Sequence, residues 1–310
     1  MKITIIIPYY NESDTILSTL RYIYEQTRKP ERVMLVDSGS TDNTTQKIHD
    51  WIQSKGLTNY EQIYSGEMSP SSSINKGIKK TNNDVIAYID CGLLIPKDWL
   101  KTSELMMSST GSDIVSTTIY TKGINITDRS FIAQTYGIKN NTICLPGSLI
   151  KKSLFNKIGY LIESVRSGYD VDFVNKIKIR NIKRTINKKI ELKYIDVNFT
   201  SSYMQGMKKV FTYSLAGWKT KKDIKPPLYF ALIILFIISI FTDMHIIFIT
   251  IYCFLRMLLI PIYKSKICKT LLNPINYPFY LLSGITIDSS RLTGYVYSSI
   301  YKEKYDGKYE

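Results

Sequence analysis

The chain of 310 residues has no Cys-x-x-Cys pair; its four cysteines, Cys91, Cys144, Cys253 and Cys268, are scattered. That excludes a zinc-ligand framework and a disulfide scaffold, and makes a reducing compartment the expectation. Ile3 to Ile7 already reads as a strand, so no signal peptide is expected and the N-terminal part should stay in the cytoplasm. Acids are scarce: 26 Asp and Glu face 41 Lys and Arg, for a net charge of +15. Such an excess suits a polyanionic partner, whether nucleic acid, anionic lipid or a phosphorylated substrate; an AT-rich genome favouring Lys and Ile is the lesser alternative. No internal repeat is visible. No apolar run quite reaches the roughly 20 residues that cross a bilayer comfortably. The length suits one large domain with an appendage.

Up to Asn198, short apolar strands alternate with helical stretches. Ile3–Ile7, Val33–Val36 and Val85–Ile89 are near-continuous apolar runs, as strands buried on both faces require. Between them the pattern predicts helices over Asn11–Thr27, capped by Asn11 or Ser13, and over Asp42–Ser54 and Asn75–Lys80. Further on it predicts helices over Asp98–Met107 and Asp170–Arg180, a strand over Asp113–Ile119 and a short helix within Ser148–Ile158. Alternation of this kind argues for an α/β domain with a mostly parallel sheet and helices on both faces.

Acids sit where these strands end. Val36 is followed by Asp37-Ser38-Gly39-Ser40-Thr41-Asp42, and Ile7 by Pro8-Tyr9-Tyr10-Asn11-Glu12. Open α/β sheets bind ligands at that edge. An aromatic and backbone groups there can hold a flat base. Asp37 can accept an N–H from a base or a ribose hydroxyl, or cap its own loop. Asn11 can cap a helix. Val85–Ile89 ends in Asp90-Cys91-Gly92, with Ile95-Pro96-Lys97-Asp98-Trp99-Leu100 beyond. Ser71-Ser72-Ser73-Ile74-Asn75-Lys76-Gly77-Ile78 lies upstream, and Gly168-Tyr169-Asp170-Val171-Asp172-Phe173 opens a later helix.

Taken in order, these segments resemble family-2 glycosyltransferases of the GT-A fold, over about the first two-thirds of the chain. The resemblance implies a nucleotide-sugar pocket formed by Pro8, Tyr9, Tyr10, Asn11, Glu12, Asp37, Ser38, Ser40, Asn75 and Asp90. In the family the place of Asp90 carries Asp-x-Asp, whose acids bind ribose and the metal that holds the diphosphate. Here the second acid is Gly92, so Asp90 is the implied metal ligand for Mg2+ or Mn2+; Cys91 is a poor partner for so hard an ion. The common Arg of the upstream segment is Ile74, with Lys76 or Lys79 as the nearest cations. Asp170 matches the acceptor-side general base of inverting members, with Asp172 as second choice and Tyr169 in place of the motif's first acid. Both acids could instead complement the helix dipole. The Gln-x-x-Arg-Trp motif of processive synthases is absent, which implies one sugar per encounter.

Beyond Asn198 the composition changes. Residues 199–225 are aromatic and basic, with Tyr203, Phe211, Tyr213 and Trp218, then Lys219, Lys221, Lys222 and Lys225. Residues 226–262 hold two apolar runs broken by Thr242-Asp243-Met244-His245 and flanked outside by Lys264, Lys266 and Lys269. A transmembrane hairpin with cytoplasmic ends fits the positive-inside rule, and an interfacial hairpin is the alternative. Arg256 should face protein or a headgroup. Residues 263–310 include a third apolar stretch, Leu271–Ile287, broken by prolines, and a loose tail after Ser298.

The expectation is an inverting, membrane-attached glycosyltransferase at the inner face of the cytoplasmic membrane. It would move one sugar from a nucleotide-diphosphate donor to a hydroxyl of a lipid-linked oligosaccharide or surface-glycan precursor. Two alternatives stay open: a polyprenyl-phosphate sugar synthase, and a nucleotide-sugar-binding protein without catalysis. A nucleic-acid partner would explain the charge but neither the hairpin nor the edge acids, so none is expected.

Overall fold

The computed structural model describes residues 1–66, 69–163, 165, 167–197, 200–216, 225–265 and 273–301, without the side chains of 195–197. Trp218, the lysines at 219, 221, 222, 266 and 269, Cys268 and the boundary at Asn198 lie outside the described residues.

The first elements are β1 (Ile3–Tyr9), α1 (Ile16–Tyr24), β2 (Arg32–Asp37), α2 (Thr44–Ser54), β3 (Tyr60–Tyr64), α3 (Pro70–Lys80) and β4 (Val85–Tyr88). They continue with β5 (Leu93–Leu94), α4 (Trp99–Thr110), β6 (Ile114–Gly123), α5 (Ile126–Gln134), β7 (Lys139–Asn140), β8 (Ser148–Lys151), α6 (Ser153–Ile158), α7 (Tyr169–Ile179) and β9 (Arg184–Val197). The sheet runs β3-β2-β1-β4-β8-β6-β9-β5, with β7 on β6. Its parallel pairs are β3 with β2, β2 with β1 and β1 with β4. β8 lies antiparallel to both β4 and β6, so the sheet is mixed, not parallel throughout.

β1 shows why helices cover both faces. Ile3, Ile5 and Ile7 point into one core with Ile16, Leu20 and Ile23 of α1, Ile48 of α2 and Trp99 of α4. Ile6 points the other way, into a core with Ile74 and Ile78 of α3, Phe155 of α6 and Phe173 of α7. Period-2 alternation with both faces apolar is what a central strand demands. Each such fully buried side chain contributes about 1.5–3 kcal/mol of transfer free energy. α3 lies so close to β1 that a Cβ on Gly77 would come within 2.9 Å of the Ile6 side chain.

Several boundaries differ from the sequence reading. α1 begins at Ile16 behind Thr15, not at Asn11 or Ser13. Asn11 has a φ of +53°, away from the extended backbone usual for a side-chain cap, and its side chain serves another loop. α2 begins at Thr44, because Asp42 turns its carboxylate back onto the Thr44 N–H at 3.0 Å. α3 starts earlier than expected, with Ser69 as cap and Pro70 in its first turn.

The chain divides into two compact units. The first holds residues 1–119 and 141–194; the second, among the described residues, holds 120–140 and those from 195 onward. A boundary at Asn198 therefore misses residues 120–140. They leave the first unit because Phe131 and Ile132 bury themselves with Val210 and Ile287.

The second unit adds α8 (Tyr203–Ser214), α9 (Lys225–Phe241), α10 (His245–Phe254), a π turn over Leu255–Leu259, α11 (Ile260–Ser265), a 3-10 turn over Pro274–Asn276 and α12 (Tyr277–Ile300). From His245 to Ser265 the helix is continuous, and its 21 residues are long and apolar enough to cross a membrane. α9 is apolar but shorter, at 17 residues. Both expose apolar side chains, including Ile234, Ile238, Phe241, Ile246 and Ile251. In its described part, from Asn273 on, the third apolar stretch is not broken by its prolines. Pro274 and Pro278 fall at helix starts, where a missing N–H costs nothing, and α12 runs on through Gly284 to Ile300.

Arg256 faces protein. Its guanidinium donates to Asp288 at 2.8 Å and to the Gln134 amide oxygen at 3.0 Å. Asp288 also accepts from the hydroxyls of Tyr229 and Tyr252.

Candidate active site

Register brings the strand-end loops together. Tyr9 pairs with Asp37 across β1 and β2, and Asp37 with Tyr64 across β2 and β3. On the other side, Ile6 pairs with Tyr88, so Asp90 comes level with Pro8. The Cys91 thiol lies 3.9 Å from the Pro8 carbonyl. Pro8, Asp37 and Asp90 thus share one sheet edge, at the C-terminal ends of parallel strands.

The first two loops are stitched to each other. The Asn11 amide oxygen accepts the N–H groups of Thr41 at 2.8 Å and Asp42 at 3.3 Å. Its own N–H donates to the Ser40 hydroxyl at 3.1 Å. Asp42 accepts the Ser13 N–H at 3.2 Å. Against a burial penalty, hydrogen bonds from Thr44 and Ser13 hold its carboxyl below the usual range. Asn11 is therefore a bridge between loops and not the cap of α1.

Asp37 is almost enclosed. One oxygen accepts the N–H groups of Gly39 at 3.1 Å and Ser40 at 2.8 Å; the other accepts the Thr45 hydroxyl at 3.1 Å. A carboxylate offers about four acceptor sites, so one remains for a ligand beside the loop-capping role. Glu12 is half-buried. Burial raises its carboxyl, and the negative charge of Asp90 adds to that against a hydrogen bond from Thr15.

Three sequence expectations need correction. Tyr9 does not present its ring as a platform: it is 3% exposed and packs in the core beneath the loops. Burial pushes its phenol up to about 12. Ser38 turns inward, onto the Ser73 hydroxyl at 2.8 Å, because the loop backbone leaves it under α3. Asn75 is fully buried, and its amide is spent on the Leu161 carbonyl, the Leu161 N–H and the Glu163 carboxylate, at 2.8, 3.1 and 2.8 Å. It pins the segment ahead of α7 to α3. Pro8 and Tyr10 are half-buried, while Asn11 and Asp170 are exposed.

Asp90 carries the unusual chemistry. One oxygen accepts the Tyr88 hydroxyl, the other the Tyr194 hydroxyl at 2.6 Å. Burial raises its carboxyl above 3.8; the two hydroxyls oppose this, and the negative charge of Asp170 adds to it. The same Asp170 charge acts on Cys144. Asp90 and Asp170 are thus electrostatic neighbours although 80 residues separate their numbers. Asp170 opens α7 behind Gly168, whose φ is +83°. Asp172 is paired with Lys176 at 2.7 Å. Sequence reasoning missed Tyr88, Tyr194 and Thr45; Tyr88 stands two residues before Asp90 on the same face, but nothing local marks Tyr194.

A cation test follows from these charges. Among the described residues no cluster of three or more His, Cys, Asp or Glu side chains could hold a metal alone. Cys91 is no ligand, since burial and the charges of Glu12 and Asp90 push its thiol well above its usual range. Gly92 adopts a φ of +78°, which glycine favours, so an acid there would be strained. What remains is Asp90, a hard oxygen donor on which the negative charge of Asp170 acts. That fits a divalent ion completed by ligand oxygens and water.

The desolvated charge has a stability consequence. Asp90→Asn should melt above the wild type near pH 7 without ligand. The folded-state pKa is raised, so the folded chain keeps a proton over a window in which the unfolded chain has lost it. Stability present at low pH is lost as pH rises through that window. Thermal melts of both proteins near pH 4 and pH 7 check this, and an Asp90→Asn variant that melts no higher than the wild type at pH 7 would overturn it.

The sequence model described as Glycosyl transferase family 2 matches residues 4–168, more than half of the chain. The chain belongs to this family. An uncharacterized glycosyltransferase of Rickettsia bellii is 26% identical over 233 residues, which cover 69% of this chain and 32% of that protein. Glycosyltransferase AglE of Haloferax volcanii is 29% identical over 116 residues, covering 36% of this chain and 38% of that one. The chain therefore matches about a third of the length of these curated relatives. Among solved structures, the mannosyltransferase PcManGT of Pyrobaculum calidifontis, in complex with GDP-Man and Mn2+, has a TM-score of 0.60 at 16% identity, covering 98% of this chain and 88% of that one. S. aureus TarS in complex with UDP-GlcNAc has a TM-score of 0.50 at 17% identity, covering 100% and 93%. These likenesses show the fold, which is GT-A. The matched span of the family-2 chain contains the strand-end loops through Asp90 and stops just before Asp170.

Proposed function

We propose that this chain is an inverting glycosyltransferase. It takes a sugar from a nucleotide-diphosphate donor and passes it to a hydroxyl of a lipid-linked oligosaccharide or surface-glycan precursor. The observation that carries the reading is that Asp37 and Asp90 share one sheet edge in a family-2 chain while the charge of Asp170, in the first turn of α7, acts on Asp90. Complexes of structural neighbours with GDP-Man and UDP-GlcNAc support a nucleotide-sugar donor. The loop of Asp37 and Ser40 would hold the nucleoside and Asp90 the ion at the diphosphate. A bound Mg2+ or Mn2+ would act as Lewis acid toward the leaving diphosphate. Asp170 takes the proton of the acceptor hydroxyl as its oxygen attacks the anomeric carbon. The bond to the diphosphate breaks on the opposite face, and the nucleoside diphosphate leaves.

Transfer of one sugar per encounter follows from the missing processive motif. The apolar His245–Ser265 helix and the exposed face of α9 support attachment at the inner face of the cytoplasmic membrane. They equally suit a polyprenyl-phosphate acceptor, whose anionic oxygen would need no base.

Screening hydrolysis of UDP-, GDP- and dTDP-sugars by the full chain tests the donor. One nucleotide class should be turned over, and excess EDTA should reduce the rate; no binding to any of them would reject the reading. Asp37→Ala should weaken binding of that nucleotide by about 10–150-fold, the worth of a hydrogen bond to a charged group at roughly 1.5–3 kcal/mol. Calorimetry beside a thermal melt decides this. A lower melting point with wild-type affinity would leave Asp37 with its loop alone.

A further inference from the structure

Asp90 stands where a two-acid motif would place a pair, yet it is not a lone flexible carboxylate. Tyr88 approaches one oxygen from β4, two residues away on its own strand. Tyr194 approaches the other from β9, at 2.6 Å and 104 residues distant. Tyr88 is 3% exposed and packs in the core, so its ring cannot swing away. Tyr194 packs against the opposite core, beside Leu93 and Leu192. Two hydroxyls on two different oxygens fix both the position and the plane of the carboxylate. Each takes one acceptor site and leaves another on the same oxygen.

In a two-acid site the second carboxylate supplies charge and a second point of attachment. Gly92 supplies neither, and its left-handed backbone disfavours any side chain there. The hydroxyl clamp can supply orientation without charge. Groups that orient a metal ligand in this way set affinity although they never touch the ion.

We propose that Tyr88 and Tyr194 are positioning residues. They hold the Asp90 carboxylate in the one orientation that lets a single acid receive the ion at the donor's diphosphate, and so replace the orienting part of the missing second acid. The proposal rests on the reading of Asp90 as the donor-side contact.

The test uses the full chain with Tyr88→Phe, Tyr194→Phe, the double variant and Asp90→Ala. UDP and GDP are each titrated by calorimetry with and without Mn2+, and bound Mn2+ is followed by electron paramagnetic resonance. Phenylalanine keeps the ring and removes only the hydroxyl, so the fold should survive. Each single variant should lose about 10–100-fold of the Mn2+-dependent gain in nucleotide affinity. Affinity without Mn2+ should not change, and in turnover the Mn2+ requirement should rise while the acceptor KM stays put. A purely structural role would instead weaken binding with and without Mn2+ alike. If Asp90→Ala loses the Mn2+-dependent gain and all three tyrosine variants keep it, the clamp is idle and the proposal falls. If Asp90→Ala keeps it, the donor-side reading of Asp90 falls first and takes the clamp with it. Should the double variant unfold, Tyr194→Phe alone decides, because Tyr194 is less enclosed than Tyr88.

Discussion

Asp170→Asn is expected to lower sugar transfer by about 10²–10⁴-fold, the usual contribution of a positioned general base. Asp170 is exposed in the first turn of α7, and its charge reaches Asp90. It can therefore meet an acceptor from solvent while the donor occupies the sheet edge. Asparagine is nearly isosteric, so folding and binding of both substrates should survive. An amide cannot take the acceptor's proton, so the chemical step should fail. Asp172→Asn should cost much less, because that carboxylate is occupied by Lys176 at 2.7 Å. Single-turnover rates with donor and acceptor at saturation, beside calorimetric affinities, make the comparison. An inactive Asp172→Asn with an active Asp170→Asn would move the base by two positions. Full transfer by both variants would point to an acceptor that is already anionic, and the polyprenyl-phosphate reading would replace the hydroxyl one.

The largest stability effect should come from the second unit. Arg256→Met takes from Asp288 its hydrogen-bonded cation in a helical core, where Arg291 is another cation acting on it. Arg256 is 7% exposed and also holds Gln134. A Cβ on Gly284 would sit within 2.7 Å of the Arg256 side chain, so helix and arginine are in direct contact. Removing one partner of a buried pair costs about 3–5 kcal/mol, whereas replacing both by apolar groups is often near neutral. Arg256→Met should therefore melt far lower in detergent, and Arg256→Met with Asp288→Leu should recover most of the loss. A double variant as unstable as the single one would show that the network around Tyr229 and Tyr252 matters more than the charge pair.

Much of this arrangement was legible along the chain. Ile3–Ile7, Val33–Val36 and Val85–Ile89 read as buried strands because apolar residues without a polar face can only be central. Asp37 and Asp90 stood out because each interrupts such a run where a parallel strand must leave the sheet. Arg256 stood out because an arginine inside an apolar helix needs a partner. The errors lie where one residue has two local uses. Asn11 could cap a helix or bridge loops, and its left-handed backbone decided for the bridge. Asn75 matched a binding motif, yet its amide closes on Leu161 and Glu163, far along the chain.

Local sequence thus determined β1, β2, β4 and most of β6, the order of the loops and the acids at their ends, because period and turn chemistry act over a few residues; β3, β8 and β9 carry no such apolar run and were not legible. The tertiary structure alone decided what each acid meets. Tyr194 reaches Asp90 from β9, Asp170 comes near it from α7, and residues 120–140 join Val210 and Ile287 in another unit. Those meetings depend on strand order and on long-range closure of the sheet. A carboxylate's charge, orientation and partners follow from its three-dimensional surroundings, and no spacing along the chain encodes them.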